Sequence, residues 1–254
     1  MSAKWAMGSF AKREMLGVVS CVVMLAAAAV LADDPAVIPL SKEPHHHLQM
    51  HNDYVNVYQV SVEPGDTVKL HKHLYDAISV MVLPASVTVH TPGRPDAKQE
   101  LTAAQVRLQP NGYTHSTEIA ATSQPYRNVT LELIQPQGSF RNLCTAAIAG
   151  QPLNCPAPSD SAASSDTPQF ESDLTRITLT RIKPGQSVKL GSATDNEIFV
   201  TLDDVTASPA AGSDAVKRLH AEDFMWLAKG GGTTVHNAGA SDAKIVLFAL
   251  KLKG

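Results

Sequence analysis

Three histidines carry the chemistry that this sequence offers most openly. In PGDTVKLHKHLYD, which begins at Pro64, His71 and His73 stand one residue apart after an alternating run. Residues i and i+2 of a strand share a face, so these imidazoles aim side by side with Lys72 on the opposite face. His115 follows the turn sequence PNGYT, where a tight turn brings a second strand alongside. Three neutral imidazoles from two strands suit a divalent first-row metal and leave coordination positions open for water or substrate. Without a metal they must find other partners, because burying unpaired polar groups is costly. The plainer alternative is three hydrogen-bonded barrel residues.

The elements that must position them are written twice. VYQVSVEPGDTVKL (from Val57) and LTRITLTRIKPGQSVKL (from Leu174) both alternate into a Pro-Gly turn and leave on V-K-L. LTAAQVRLQPNGYTHSTE (from Leu101) matches LHAEDFMWLAKGGGTTVHNAG (from Leu219), and each exits on a histidine, His115 or His236. Gly65 and Gly185 lie 120 positions apart, and the exit histidines 121. Such constancy reads as a duplication. Each half consists of short runs of period-two alternation with Gly and Pro turns and no long 3.6-period segment, which predicts an all-β chain of two small barrels or jelly rolls. In the second half Gly191, Ala193 and His236 stand where the first has His71, His73 and His115, so at most one metal ligand is expected there and the second copy reads as structural.

The spaced motifs resemble those of the cupin superfamily. Gly65, five residues and then His71-x-His73 is similar to its first motif, and Pro110-x-Gly112-x-x-His115 to its second. With the repeat, the chain resembles a bicupin over residues 51–137 and 171–254. The resemblance implies two tandem jelly-roll barrels and a divalent transition metal (Fe, Mn, Zn, Cu or Ni) held by His71, His73 and His115. It also implies a glutamate ligand four or five residues after the second histidine, where this chain has Ala77 and Ile78. Asp76, one residue early, would need a bulge to turn inward; Glu132 is the weaker substitute. A site of three histidines without a carboxylate keeps the full charge of the metal and favours anionic ligands, as in some non-haem iron oxygenases of that superfamily.

Composition bounds the partners and the compartment. The net charge of -3 provides no basic field, so nucleic acid is not an expected partner. Lys4, Lys12 and Arg13 precede an apolar run from Met15 to Leu31 and then Ala32-Asp33-Asp34, the layout of a secretory signal over residues 1–32. Cleavage near Asp33 would export the chain to a periplasmic or extracellular space without stable membrane association. An uncut anchor, or lipidation at Cys21, are the alternatives. The mature chain would retain Cys144 and Cys155, read as a disulfide in an oxidising compartment, with two free thiols as the alternative. Residues 33–50 read as irregular and 138–170 as a linker, given CPAPSDSAASSDTP.

The remaining candidates are weaker. His45-His46-His47 reads as a solvated tract with some capacity for metal, His51 as a residue at a barrel mouth, and His90 and His220 as loop or edge residues. Tyr75 and Tyr113 are pocket or core aromatics, and Asn128-Val-Thr is a glycosylation sequon by pattern. No nucleophile elbow, P-loop or HExxH is present. The expected function is therefore metal binding with a small-molecule or anionic ligand. The alternatives are a metal-dependent oxygenase acting on a small organic substrate, and a metal-free structural protein. A second copy of the chain is the protein partner considered, as a homodimer.

Overall fold

The computed structural model describes residues 36–157, 159–209 and 216–251, so the secretory-signal reading lies outside the described residues. Ten strands form the first barrel: β1 (Ile38–Pro39), β2 (His46–His51), β3 (Val55–Val62), β4 (Thr67–Lys72), β5 (Asp76–Met81), β6 (Ala85–His90), β7 (Ala97–Leu101), β8 (Val106–Gln109), β9 (Thr114–Ile119) and β10 (Tyr126–Leu133). They pair as two five-stranded sheets, β1-β4-β9-β6-β7 and β2-β3-β10-β5-β8.

The second barrel repeats the plan. It contains β11 (Phe140–Asn142), β12 (Ser159–Asp160), β13 (Ser164–Ser172), β14 (Thr175–Ile182), β15 (Ser187–Leu190), β16 (Asn196–Thr201), β17 (Val205–Pro209), β18 (Lys217–Leu219), β19 (Phe224–Leu227), β20 (Thr233–His236) and β21 (Ala243–Leu250). Its sheets run β11-β13-β14-β21-β16-β19, with β12 on β13, and β15-β20-β17-β18. The fold is all-β, with two tandem cupin-type barrels.

Period-two alternation explains how the barrels meet. Tyr58, Val60 and Val62 of β3 point into the first barrel, while Val55 and Val57 point out of it. The outward set joins Ile78, Val80, Val129 and Leu131 in one buried cluster with Ile177, Ile198, Val246, Phe248 and Leu250 of the second barrel. Each barrel keeps its own interior cluster as well. The sheets at the contact are therefore buried on both faces, apolar where the barrels meet.

Two expectations about boundaries are corrected. Residues 36–50 are not irregular: β1 pairs in parallel with β4, Ile38 opposite His71, and β2 runs antiparallel to β3. The last part of the supposed linker is sheet, since Ser164–Pro168 of β13 pair with Thr178–Ile182 of β14. Both segments cover sheet edges and are polar on their outer faces, so neither carries an apolar alternation that a sequence pattern could report. Cys144 and Cys155 form a disulfide with their Cα atoms 4.4 Å apart, closing the loop between β11 and β12.

The shared cluster should decide the stability of both barrels. Phe248 is 0% exposed, and Phe248→Ala is expected to cost about 3–5 kcal/mol in urea unfolding. A cost under about 1 kcal/mol would show that the barrels do not depend on their common core.

Candidate metal centre

The first barrel gathers the three histidines through two local devices. The turn at Pro110–Tyr113 is closed by the Tyr113 amide donating to Pro110 O at 2.9 Å. Gly112, at φ 84°, takes the left-handed conformation that favours glycine. The same turn is laced to the first motif, with His73 N donating to Tyr113 O and Gly112 N to His73 O, both at 2.9 Å. This brings His115 beside His73.

The second device is a β-bulge in β4. Its pairing with β9 shifts between Val68 and His71, placing His71 opposite His115. The shift lets Val68, His71 and His73 all turn inward. His71 Nδ1 lies 2.8 Å from Lys69 O. A carbonyl only accepts, so Nδ1 carries the proton and Nε2 presents a bare lone pair.

One ring nitrogen from each of His71, His73 and His115 lies within 4.8 Å of the other two. The residues are 1%, 2% and 8% exposed. His73 Nε2 and His115 Nε2 are 3.2 Å apart. His71 Nε2 and His73 Nδ1 are buried with no hydrogen-bond partner. Thr117 Oγ1 stands 3.4 Å from His115 Nδ1, and Tyr113 stacks on the His115 ring at 4.7 Å between centroids. Opposite them lies a polar belt in which Ser79 Oγ bonds Thr130 Oγ1 at 2.8 Å and Thr130 Oγ1 donates to Asn128 Oδ1 at 2.7 Å. The cavity between has room for about one water molecule.

Burial governs the protonation of the cluster. It holds His71 down to about 4, with the nearby His46 ring as the next cause. His73 falls to about 3 through burial and then through His71. His115 is lowered furthest, again by burial first and then by His71 and His73. All three are therefore neutral at ordinary pH, the form that ligates metal.

Sequence reading missed a supporting pair. His46 is not a solvated residue: its ring lies 5.0 Å from that of His71 and 6.3 Å from Tyr58, and it lines the cavity. Its Nδ1 is 2.7 Å from Glu43 Oε2, and the Glu43 side chain is 0% exposed. Glu43 also accepts from the Lys69 amide at 3.1 Å and so caps the bulge that aims His71. Burial alone would raise the Glu43 carboxyl, but hydrogen bonds from His46, His45 and Lys69 carry it down to about 2. Nothing in the tract HHH distinguished His46 from His47, which is exposed. Asn128 and Thr130 were better signalled, as polar residues alternating with Val129 and Leu131.

Other candidates fall elsewhere. Asp76 lies outside the histidine cluster and accepts from the Asn111 amide at 2.9 Å, so it braces the turn. Glu132 faces the barrel interior but is held by Asn56 Nδ2 at 2.9 Å and the Tyr58 hydroxyl at 3.2 Å, and burial raises its pKa. His51 is exposed and bonded to Asn56, and Tyr75 is 37% exposed. His90 pairs with Asp96 and Glu118, and His220 with Asp204. Asn128 is 2% exposed, which removes the sequon from reach in the folded barrel.

The repeat also needs correction in its second motif. Thr67 pairs with Glu118, whereas its counterpart Ser187 pairs with His236. His236 thus occupies the place of Glu118 rather than that of His115. Strand β15 shows no bulge, and Val235 points into the barrel core, leaving His236 on the outer face with Nδ1 3.0 Å from Ser187 Oγ. The physical cause lies at Gly191, where an added Cβ would stand 2.3 Å from Gly231 O. The triple-glycine turn has folded into the space an imidazole would need.

No protein-family model and no curated protein sequence matches the chain. Solved structures do. AerE from Microcystis aeruginosa is 13% identical with a TM-score of 0.61, over 86% of this chain and 98% of that one. A Bacillus subtilis oxalate decarboxylase studied for its Mn(II) centres is 12% identical with a TM-score of 0.55, over 85% of this chain and 77% of that one. A formate complex of Lactobacillus farciminis oxalate decarboxylase is 11% identical with a TM-score of 0.53, over 84% and 85%. At these identities the likeness is one of fold, the tandem cupin arrangement.

The depressed histidines set a pH dependence. Below 6.5 the unfolded chain takes up protons that folded His71 and His73 refuse until about 4 and 3. Stability of the metal-free protein should therefore fall as pH drops from 6.5 to about 4. Glu43 adds a second loss as pH falls from 4.5 through about 2, since its folded form binds a proton less readily than the unfolded one. Urea unfolding across this range checks both, and Glu43→Gln should flatten only the lower part.

Proposed function

We propose that the first barrel binds one divalent first-row metal through Nε2 of His71, His73 and His115, and that this centre holds a small anionic ligand. The observation that carries the reading is the buried, partnerless Nε2 of His71 converging on two imidazoles whose own Nε2 atoms are 3.2 Å apart. Nitrogens sharing one ion at about 2.1 Å lie about 3.0–3.4 Å apart, which the His73–His115 pair already meets, with His71 within 4.8 Å of both. Either tautomer of His73 leaves one ring nitrogen without a protein partner, because Nδ1 has none and Nε2 faces only His115.

A bound metal would supply a Lewis acid to whatever enters its open positions. The protein residues do the rest. Lys69 O fixes the tautomer of His71, Thr117 sits at His115 Nδ1, and the Ser79–Thr130–Asn128 belt offers polar contacts across the cavity. The space at its centre is small, so only the smallest ligands would enter it. The Mn(II) centres and the bound formate named for the oxalate decarboxylases support a small carboxylate as the class of anion. Glu132 and Asp76 are both engaged in hydrogen bonds, which leaves no free carboxylate as a general base beside the cluster among the described residues. This favours binding over acid–base turnover, with oxygen chemistry as the second reading. The disulfide supports export to an oxidising compartment.

Metal analysis of the purified protein tests the proposal. Wild type should hold close to one equivalent after loading, and His71→Ala and His115→Ala should each lose affinity by at least about tenfold. Removing the metal with a chelator should lower the unfolding midpoint of wild type and leave His71→Ala unchanged. A wild-type protein that takes up no divalent metal would overturn the reading.

A further inference from the structure

A sizeable cavity lies in the second barrel, away from the three histidines. It spans about 420 Å³ and is lined by Asp166, Thr178, Thr180, Lys189 and Glu197, among others. Strand registers show how it arose. Asp166 faces Thr180 across β13 and β14 as His46 faces Val60 across β2 and β3, each 120 positions earlier. By the same offset Thr178 replaces Tyr58, Thr180 replaces Val60 and Gly191 replaces His71. Smaller side chains have opened the space that Tyr58 and His46 fill in the first barrel, while the glycine turn has closed on the place of His71. A barrel kept only for packing would be expected to refill such a space with apolar side chains. Here the replacements are hydroxyls and carboxylates.

Glu197 shows what the space is suited to hold. In the first barrel Ala77 of β5 stands across from Glu132 of β10; in the second, Glu197 of β16 stands across from Ala249 of β21. The interior carboxylate has moved one strand over. Glu132 has Asn56 and Tyr58 as donors, but Glu197 Oε2 is buried without a partner in a residue 8% exposed. Its pKa is raised, by burial first and also by the like charge of Asp195, with the Gly191 amide as the opposing donor. Arg176 shares its cross-strand row but is exposed, and neither Arg176 nor Lys189 comes within ion-pair distance of it. The half-buried Asp166 accepts from Thr180 Oγ1 at 2.7 Å and likewise has no cationic partner among the described residues.

We propose that this cavity binds a small organic cation, an aliphatic amine, whose ammonium group donates to Glu197 Oε2. Asp166 would take a second donor nearer the rim, and the Thr178 hydroxyl is placed to accept a remaining N–H. Val188, Leu190 and Leu247 line the same space and offer apolar surface to methylene groups. Two carboxylates with hydroxyls and aliphatic side chains in a space of this size suit an organic ammonium better than a bare metal ion, which needs a tighter set of oxygens. The second barrel, read from sequence as structural, thereby becomes a binding module distinct in chemistry from the first.

Calorimetry on the full-length, metal-loaded protein tests this with 1,4-diaminobutane, against 1,4-butanediol and succinate as neutral and anionic probes of matched length. Saturable binding of the diamine is expected, with Glu197→Gln and Asp166→Asn each weakening it by about tenfold or more. His71→Ala should leave it unchanged, which separates this site from the histidine cluster. Without ligand, Glu197→Gln should unfold at an equal or higher temperature than wild type, because it removes an unpaired buried carboxylate. Butanediol or succinate binding as tightly as the diamine would overturn the proposal. So would diamine affinity unchanged in both variants, or no saturable diamine binding up to about 10 mM.

Discussion

Three neutral imidazoles crowded into one barrel interior, with two ring nitrogens lacking protein partners, form the constraint on which the first barrel is built. Each such nitrogen costs about 1–3 kcal/mol when left unpaired away from water. The surroundings hold the rings in place despite that cost. Lys69 O holds His71, Thr117 and Tyr113 hold His115, and the backbone bonds between His73 and the Gly112 turn hold the third. A site whose own donors remain unsatisfied while its scaffold is fully tied is one preorganised for something else to complete it.

The scaffold depends in turn on a single bulge. It brings His71 into phase with Val68 and exposes the Lys69 carbonyl that orients the ring. The bulged amide would otherwise lack a partner, and the buried carboxylate of Glu43 takes it. Glu43 can be buried because His45 and His46 meet its two oxygens at 3.1 and 2.7 Å. The segment before β3 is thus part of the site's support, and its short strands close sheet edges that would otherwise stay open.

The second barrel shows the same plan without that constraint. With glycine at 191 there is no ring to orient, β15 runs without a bulge, and the glycine turn settles against it. What persists is the outer face: Ile177, Ile198, Val246 and Phe248 pack onto the first barrel in a cluster that neither half could bury alone. Loss of the histidines released the interior from one chemistry while the shared core kept the barrel itself.

Much of this was legible in residue order. Alternation, Pro-Gly turns and the two-fold repeat determined an all-β tandem barrel, and the spacing of His71, His73 and His115 pointed to three residues that the barrel gathers, because strand periodicity is a local property. Other features were not local. V-K-L is written identically in both halves, yet it bulges before His71 and runs straight before Gly191. His236 matches His115 in spacing and still lands on the outer face, since register depends on what fills the neighbouring space. Glu43, His46 and Glu197 acquired their roles only from burial against strands far away in the chain. Sequence determined which side chains were available and how the strands alternate; packing decided which strand would bulge, which histidine would turn inward and which carboxylate would be left without a partner.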